Sequence, residues 1–400
     1  MQLALSEEQE LIASSARDFL SREYGFRPHR KPDDAMWRRF AEMGWLGLPF
    51  AERFGGLDAD ALSSGLLFEA MGRHLVVEPY VSCIGFAARA IARLGRDAQR
   101  AHWLPAVVQG RARVAVAHDE PGMLLPWGAP KALQTTAVRS PVGWVLNGAK
   151  VLALDAPEAG ALLVTARVDP GAQSAGSLRV FLIAAGPGAL RPVALSVSPC
   201  LTSDGLRAAD VRFENLQLAP DALLGEDIDS GEAFSSVCAE SVVATCWEAC
   251  GTMTAAYEQT AAYVQQRQQF GQPLAAFQVV AHRLAEMAVY CTEARAACEI
   301  ASLRLTRSGG ATADLVAVAS AAKTKVARCA EFVAKEAVQL HGAIGVTDEL
   351  AIASCFRKLM AFRARGGSPE AHAADLGRRL LASGAWRESA TLQTLNEASA

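Results

Sequence analysis

Four long stretches of helical periodicity fill the second half of the chain, and they constrain the fold more than any other feature. They run through 234–266, 278–307, 313–340 and 349–362, with Gly271, Gly309-Gly310 and Gly342 between them. At ~1.5 Å per residue, such helices reach roughly 40–50 Å. Long helices joined by short loops form an antiparallel bundle. The first third also reads as helix. Ser6-Glu7-Glu8-Gln9 has a capping hydroxyl followed by carboxylates, and Leu11, Ile12, Ala16, Phe19 and Leu20 follow at helical spacing. Further helices are expected over 36–43, 61–74 and 81–94.

Between these halves the period changes. The segments 114–117, 134–138, 144–146, 162–168, 179–183 and 211–213 read as short strands, with Pro141, Gly143 and Asn147-Gly148 as turn signals. Short strands without intervening helices predict an antiparallel sheet or barrel rather than a βαβ fold. No Gly-x-Gly-x-x-Gly follows a strand, which argues against a Rossmann dinucleotide site. The expected fold is mainly α with a central β domain: an N-terminal helical domain over 1–112, a β domain over 113–225 and a C-terminal four-helix bundle over 226–400.

With 400 residues, several subdomains are expected. The net charge of −3 gives no bulk attraction to nucleic acid. The first residues lack the basic and apolar regions of a secretory signal, and no apolar run is long enough to span a bilayer, so a cytoplasmic protein is expected. The nine cysteines contain no Cys-x-x-Cys pair. Cys246/Cys250 and Cys291/Cys298 fall at helical spacing, and all read as small buried hydrophobes rather than metal ligands or disulfides. No metal is expected. The tail after Trp386 reads as lightly ordered.

Two segments carry the chemistry. One is Arg267-Gln-Gln-Phe270-Gly271-Gln-Pro-Leu-Ala-Ala-Phe277-Gln278, and the other is Gln339-Leu340-His341-Gly342-Ala343-Ile344-Gly345. In this order and at this separation they resemble the paired signatures of the acyl-CoA dehydrogenase family. Ser6-Glu-Glu-Gln-Glu-Leu11, Gly44-Trp-Leu-Gly-Leu48, Glu120-Pro121-Gly122 and Leu146-Asn-Gly-Ala-Lys150 extend the likeness over nearly the whole chain. It is most similar to a divergent subgroup that includes small subunits of pimeloyl-CoA and steroid side-chain dehydrogenases. The resemblance implies a flavoprotein oxidoreductase of lipid metabolism that binds FAD, acts on an acyl-CoA, passes electrons to an electron-transfer flavoprotein and assembles at least as a dimer. The assembly is either a homo-oligomer or a heteromer with a homologous subunit.

The residues suit that reading. A pyrophosphate needs donors, and the Arg267 guanidinium fits phosphate oxygens. Gln278 and Gln339 both donate and accept, and Gly342 and Gly345 let backbone approach a cofactor. Phe270 belongs to the first signature, while Glu120 and Gly122 match the family loop beside the flavin. Singly, Arg267 is equally well a helix-end cation, and Gly271 and Gly342 plain C-caps. Jointly the cofactor reading is preferred. His341 reads better as a satisfied interface histidine than as a cofactor contact. Leu152 and Leu154 stand where many members set tryptophan and threonine against the flavin.

The family's reaction also needs a base to remove the proton α to the thioester carbonyl. The resemblance puts Gly366 where most members have that glutamate, and Ser241 where others do. Glu240, one residue before Ser241, points about 100° away on a helix. Glu248, two turns beyond Ser241, is the candidate catalytic residue, weighed against an ion pair within the bundle and against simple exposure. Glu370 is a more remote candidate. The expected function is FAD-dependent α,β-dehydrogenation of an acyl-CoA, with a relocated base or in a heteromer. The alternatives are a catalytically deficient subunit whose partner supplies the base, and oxidase or monooxygenase chemistry on the same fold.

Overall fold

The computed structural model describes residues 5–122, 133–168, 177–185, 194–307 and 312–383. The expected loose tail and the run from Met123 to Trp127 lie outside the described residues. The chain begins with helices α1 (Glu7–Glu23), α2 (Asp34–Glu42) and α3 (Ala61–Arg73). Each has the cap its sequence supplies. Ser6 and Gln9 form a reciprocal capping box, and Asp33 and Asp60 accept backbone N–H groups of α2 and α3. A wide π-type helical segment follows at Tyr80–Ala88, then α4 (Arg89–Leu94) and α5 (Asp97–Val108).

Strands β1 (Val114–Ala117), β2 (Thr136–Ser140), β3 (Gly143–Leu154), β4 (Ala161–Val168), β5 (Ser177–Ala184), β6 (Leu195–Leu201) and β7 (Arg207–Leu218) make one sheet. Its order is β1-β4-β2-β3-β7-β6, with β5 also on β4. Most pairs are antiparallel, but β1 runs parallel to β4, and β2 meets β4 in parallel at Thr136 and Arg167. The sheet is therefore mixed along β4. No tight turn joins β1 to β4, so none fixes their relative direction.

The expected turn at Asn147-Gly148 is instead a bulge inside β3, where the register against β7 shifts. Gly148 has φ +143°, and a Cβ there would lie 2.6 Å from the Thr135 hydroxyl. Asn147 Oδ1 accepts the Asn215 N–H at 2.7 Å, which satisfies a backbone donor beside the bulge. Edge strand β6 was not legible, because Pro199 interrupts its pattern.

The second helical layer comprises α6 (Gly231–Gln266), α7 (Gln278–Arg307), α8 (Thr312–His341), α9 (Ala351–Ala364) and α10 (Pro369–Ser383). Helix α6 is buried over most of its length and packs against α3, α7, α8 and α9. Its crossing with α3 is unusually close. A Cβ on Gly72 would lie 1.8 Å from the Glu248 carbonyl oxygen, and one on Gly251 would lie 1.8 Å from that of Glu69. The Thr252 hydroxyl donates to the Gly72 carbonyl at 3.0 Å across the same crossing. All nine cysteines are free, and most are buried.

Gly251→Ala should therefore force the two helices apart, at a cost of about 1–3 kcal/mol or more. Its melting temperature should fall clearly. Gly377→Ala, in open space on α10, should not lower it. Equal melting temperatures for the two variants would contradict the close crossing.

Candidate functional site

A cavity of about 320 Å³ opens between the sheet and the bundle. One wall follows from β1 and β3 and carries His118, Leu152, Leu154 and Asp155. The other follows from α6 and the end of α9 and carries Ser241, Thr245, Glu248 and Arg365. Strand β3 brings Leu152 to the cavity with φ +51°, and Asp155 follows its end with φ +60°. Both are non-glycine residues in the left-handed region. The cavity thus joins the aliphatic replacements, Leu152 and Leu154, to the position of Ser241 and to the candidate base Glu248.

Glu248 is held by two cations. Its Oε1 accepts from Lys358 Nζ at 2.8 Å, and Arg365 Nη1 lies 3.9 Å from Oε2. Arg365 also pairs with Asp204 at 3.2 Å. Two carboxylates and two cations therefore close a compact cluster on the bundle wall. Glu240 turns the other way, to Arg89 at 2.9 Å and to Arg93. The Gly366 carbonyl accepts from His372 at 2.9 Å, and Glu370 pairs with Arg363 at 3.2 Å. Lys323 Nζ donates to the carbonyls of Phe362 and Arg365, the latter at 2.9 Å. These bonds pin the loop in which the family's glutamate would stand.

Glu120 is turned away from the cavity. Its carboxylate accepts from Lys150 Nζ at 2.7 Å and from the N–H groups of Thr135 and Gln134. Burial works against this carboxylate, but Lys150 and the donors outweigh burial and hold its pKa below the ordinary value. Burial pulls Lys150 down to about 8, so it stays charged at neutral pH. Glu120 therefore shapes its loop, and its oxygens are already committed. Gly122 has φ +77°, and among the described residues nothing lies within 4 Å of a Cβ placed there.

The second signature packs against α6 just ahead of the first. Tyr263, four residues before Arg267, stacks on His341 with ring centroids 4.4 Å apart. His341 is buried, and its Nδ1 lies 2.8 Å from the Ala337 carbonyl, so it is a satisfied structural histidine. Arg267 ends α6, and a two-residue hairpin follows, with Phe270 (φ +52°) and Gly271 (φ +79°) at its turn. Positive φ at both positions is the I′ geometry, so Gly271 is a hairpin turn and not a helix cap. Phe270 is 91 % exposed. Arg267, Gln278, Gln339 and Gly342 are exposed too, while Gly345 packs on His341 and Val338. Arg267 makes no ion pair among the described residues. At ~1.5 Å rise per residue, the nineteen positions from Glu248 to Arg267 span roughly 28 Å. Within one chain, the cavity lies beside the middle of α6 and the phosphate-binding candidates lie at its C-terminal end.

Two cavity groups were missed from sequence. Asp155 directly follows β3, and its carboxyl group accepts from the Ser82 hydroxyl. Burial pushes it up to about 6, against the pull of that bond and of Arg365. His118 directly precedes Asp119-Glu120-Pro121-Gly122. It is 2 % exposed, and its Nε2 is buried with no hydrogen-bond partner among the described residues. Burial, then the Lys150 charge, pull its pKa down to about 3, so the ring is neutral. A cavity wall with the apolar side chains of Leu152 and Leu154, and an exposed Arg267 at the C-terminal end of α6, fit an aromatic ring system carrying a phosphate tail.

Comparison with known proteins identifies the family. Residues 6–111 match the acyl-CoA dehydrogenase N-terminal domain, and residues 236–381 match the acyl-CoA dehydrogenase C-terminal domain. The pig mitochondrial long-chain specific acyl-CoA dehydrogenase is 28 % identical over 372 residues, covering 88 % of this chain and 81 % of its own. The butyryl-CoA dehydrogenase of Megasphaera elsdenii superposes with a TM-score of 0.83 at 22 % identity, covering 95 % of this chain and all of its own. A variant of the Tcur3481-Tcur3483 steroid ACAD superposes with a TM-score of 0.79 at 27 % identity, covering 95 % and 99 %. No helix among the described residues is long and apolar enough to cross a membrane. The chain belongs to the acyl-CoA dehydrogenase family of flavoprotein oxidoreductases.

Proposed function

We propose that this chain is an FAD-binding subunit for α,β-dehydrogenation of an acyl-CoA thioester, and that a homologous partner carries the base. The observation behind this reading is the state of the three base positions. Gly366 and Ser241 cannot take a proton from carbon, and Glu248 is committed to Lys358 and Arg365. The likeness to a two-component steroid ACAD supports the heteromer and the divergent subgroup. When bound, FAD supplies the acceptor for the β-hydride, and an electron-transfer flavoprotein takes the electrons onward.

Arg267, Phe270, Gln278, Gln339, Gly342 and Gly345 are exposed, or border exposed backbone, about 28 Å along α6 from the cavity. They reach a cofactor seated in a neighbouring chain's cavity. The cavity of this chain takes the flavin ring against Leu152 and Leu154. The division at 112/113 and 225/226 follows the change from helices to sheet and back.

A second reading has one specific observation in its favour. Asp155 lines the same cavity, and burial raises it to about 6, within the range of a working base. In that case the chain is active by itself.

Purified alone and mixed anaerobically with a panel of acyl-CoAs, the chain should keep its flavin oxidised, and coexpression with a same-family partner should restore bleaching. Bleaching by the chain alone would sink the heteromer reading. Loss of that bleaching in Asp155→Asn, with a rate that rises as pH rises through about 6, would make Asp155 the base, since only its ionised form accepts a proton. Loss in Glu248→Gln, with FAD retained, would return the role to Glu248.

Arg267→Ala should weaken FAD retention by roughly 10- to 150-fold, the worth of a charged hydrogen bond to phosphate. Full flavin occupancy after dilution, read by absorbance, would contradict the phosphate role.

A further inference from the structure

A second hollow, of about 390 Å³, adjoins the cavity between sheet and bundle. The two share Val77 and the tip of the β6–β7 hairpin, where Leu201, Thr202, Ser203 and Leu206 border both. Leu201 and Ser203 are exposed, so solvent reaches this common edge. Elsewhere side chains pair across the partition. Glu248 on the first side meets Lys358 on the second at 2.8 Å, and Arg365 on the first meets Asp204 on the second at 3.2 Å. Glu78 on the first side accepts from the Tyr24 hydroxyl on the second at 2.7 Å. These pairs are satisfied within the partition.

The charge of the second hollow is one-sided. Arg27, Arg30 and Lys31 come from the loop between α1 and α2, Arg207 from β7, and Arg357 and Lys358 from α9. Asp204 is the one carboxylate among the described residues that line it, and Arg365 already holds it. Acids outside the lining take up half of the cations: Glu158 pairs with Arg207, Asp348 with Arg357 at 3.1 Å, and Glu248 with Lys358. Arg30 lies 3.6 Å over the Tyr24 ring and donates to the Gly25 carbonyl at 3.1 Å. Arg27 and Lys31 are exposed, and neither has an ion pair or hydrogen bond among the described residues. Cations from three elements thus converge on a concave surface, which focuses their field on whatever enters it.

We propose that this hollow is an oxyanion site for the acyl-CoA. It holds either a carboxylate at the far end of the acyl group or a phosphate of the coenzyme, while the thioester lies in the first cavity. This rests on the reading of the chain as an acyl-CoA-binding subunit. Either group offers oxygens that accept from guanidinium and ammonium donors. A ligand that leaves the first cavity over the exposed tip of the β6–β7 hairpin enters the second hollow directly, since the tip borders both. Arg27 and Lys31 then gain the counter-charge that the chain does not give them.

The test is isothermal titration of the FAD-loaded chain, in the assembly in which it purifies, with octanoyl-CoA, the mono-CoA thioester of octanedioic acid, and 3′,5′-ADP. The double variant Arg27→Gln/Lys31→Gln removes two exposed charges away from the flavin and base positions, so flavin absorbance and melting temperature should not change. At low salt it should bind the dicarboxylic thioester roughly tenfold more weakly than wild type does. That difference should shrink as salt rises. If octanoyl-CoA keeps its affinity, the anion is the acyl carboxylate. If octanoyl-CoA weakens by the same factor and 3′,5′-ADP weakens with it, the anion is a coenzyme phosphate. Unchanged affinity for all three ligands would overturn the proposal while leaving the acyl-CoA reading intact. A wild-type assembly that binds neither thioester would overturn the acyl-CoA reading itself, and this proposal with it.

Discussion

The close crossing of α3 and α6 sets the frame for the rest of the site. At Gly72 and Gly251 there is no room for even a methyl group between one helix and the backbone of the other. The contact falls on the carbonyl of Glu248, the residue whose side chain reaches the cavity. The N-terminal helices therefore fix the height and rotation of α6 where its chemistry lies. Trp247, one residue earlier, locks the same turn from another side. Its indole N–H donates to Ser302 on α7 at 2.9 Å, and Gly65 of α3 makes room for the ring. Three helices thus define the direction in which Glu248 and Ser241 face.

Charge does the rest. Glu248, Lys358, Arg365 and Asp204 neutralise one another beside the cavity, where unpaired charges would be costly. A cation, Arg365, lines the cavity one residue before Gly366. Lys323 and His372 hold the backbone of that loop through its carbonyls. On the opposite wall, Lys150 and Glu120 form a second buried pair whose role is positional, and its reach extends through Thr165 to His118. The cavity is thus bordered by two charge clusters that leave few of its polar atoms without a partner.

Much of this was legible in the sequence. Helical periodicity located α1, α3 and the long bundle helices, and Ser6 marked the first cap. The two signatures announced the family, and the structure packs the second against α6 through Tyr263 and His341. The sheet was legible in outline only. Asn147-Gly148 has the chemistry of a hairpin turn, yet the chain uses it as a bulge because Thr135 needs the missing Cβ space. The direction of β1 depends on a pairing far along the chain that local pattern does not encode. The charge cluster was hidden for the same reason, since Lys358 lies 110 positions from Glu248. His118 and Asp155 looked like ordinary polar residues at strand ends until burial and an empty hydrogen-bond site set them apart.

The geometry separates the cavity from Arg267 and the segments after it by half the length of α6, and on the proposed reading a complete cofactor site takes two chains. Sedimentation velocity detected at the flavin absorbance, over a dilution series that crosses the dissociation of the assembly, tests this most directly. Flavin should sediment only with dimers or larger species, and should be released as monomers form. Flavin that stays with the monomer would contradict the account.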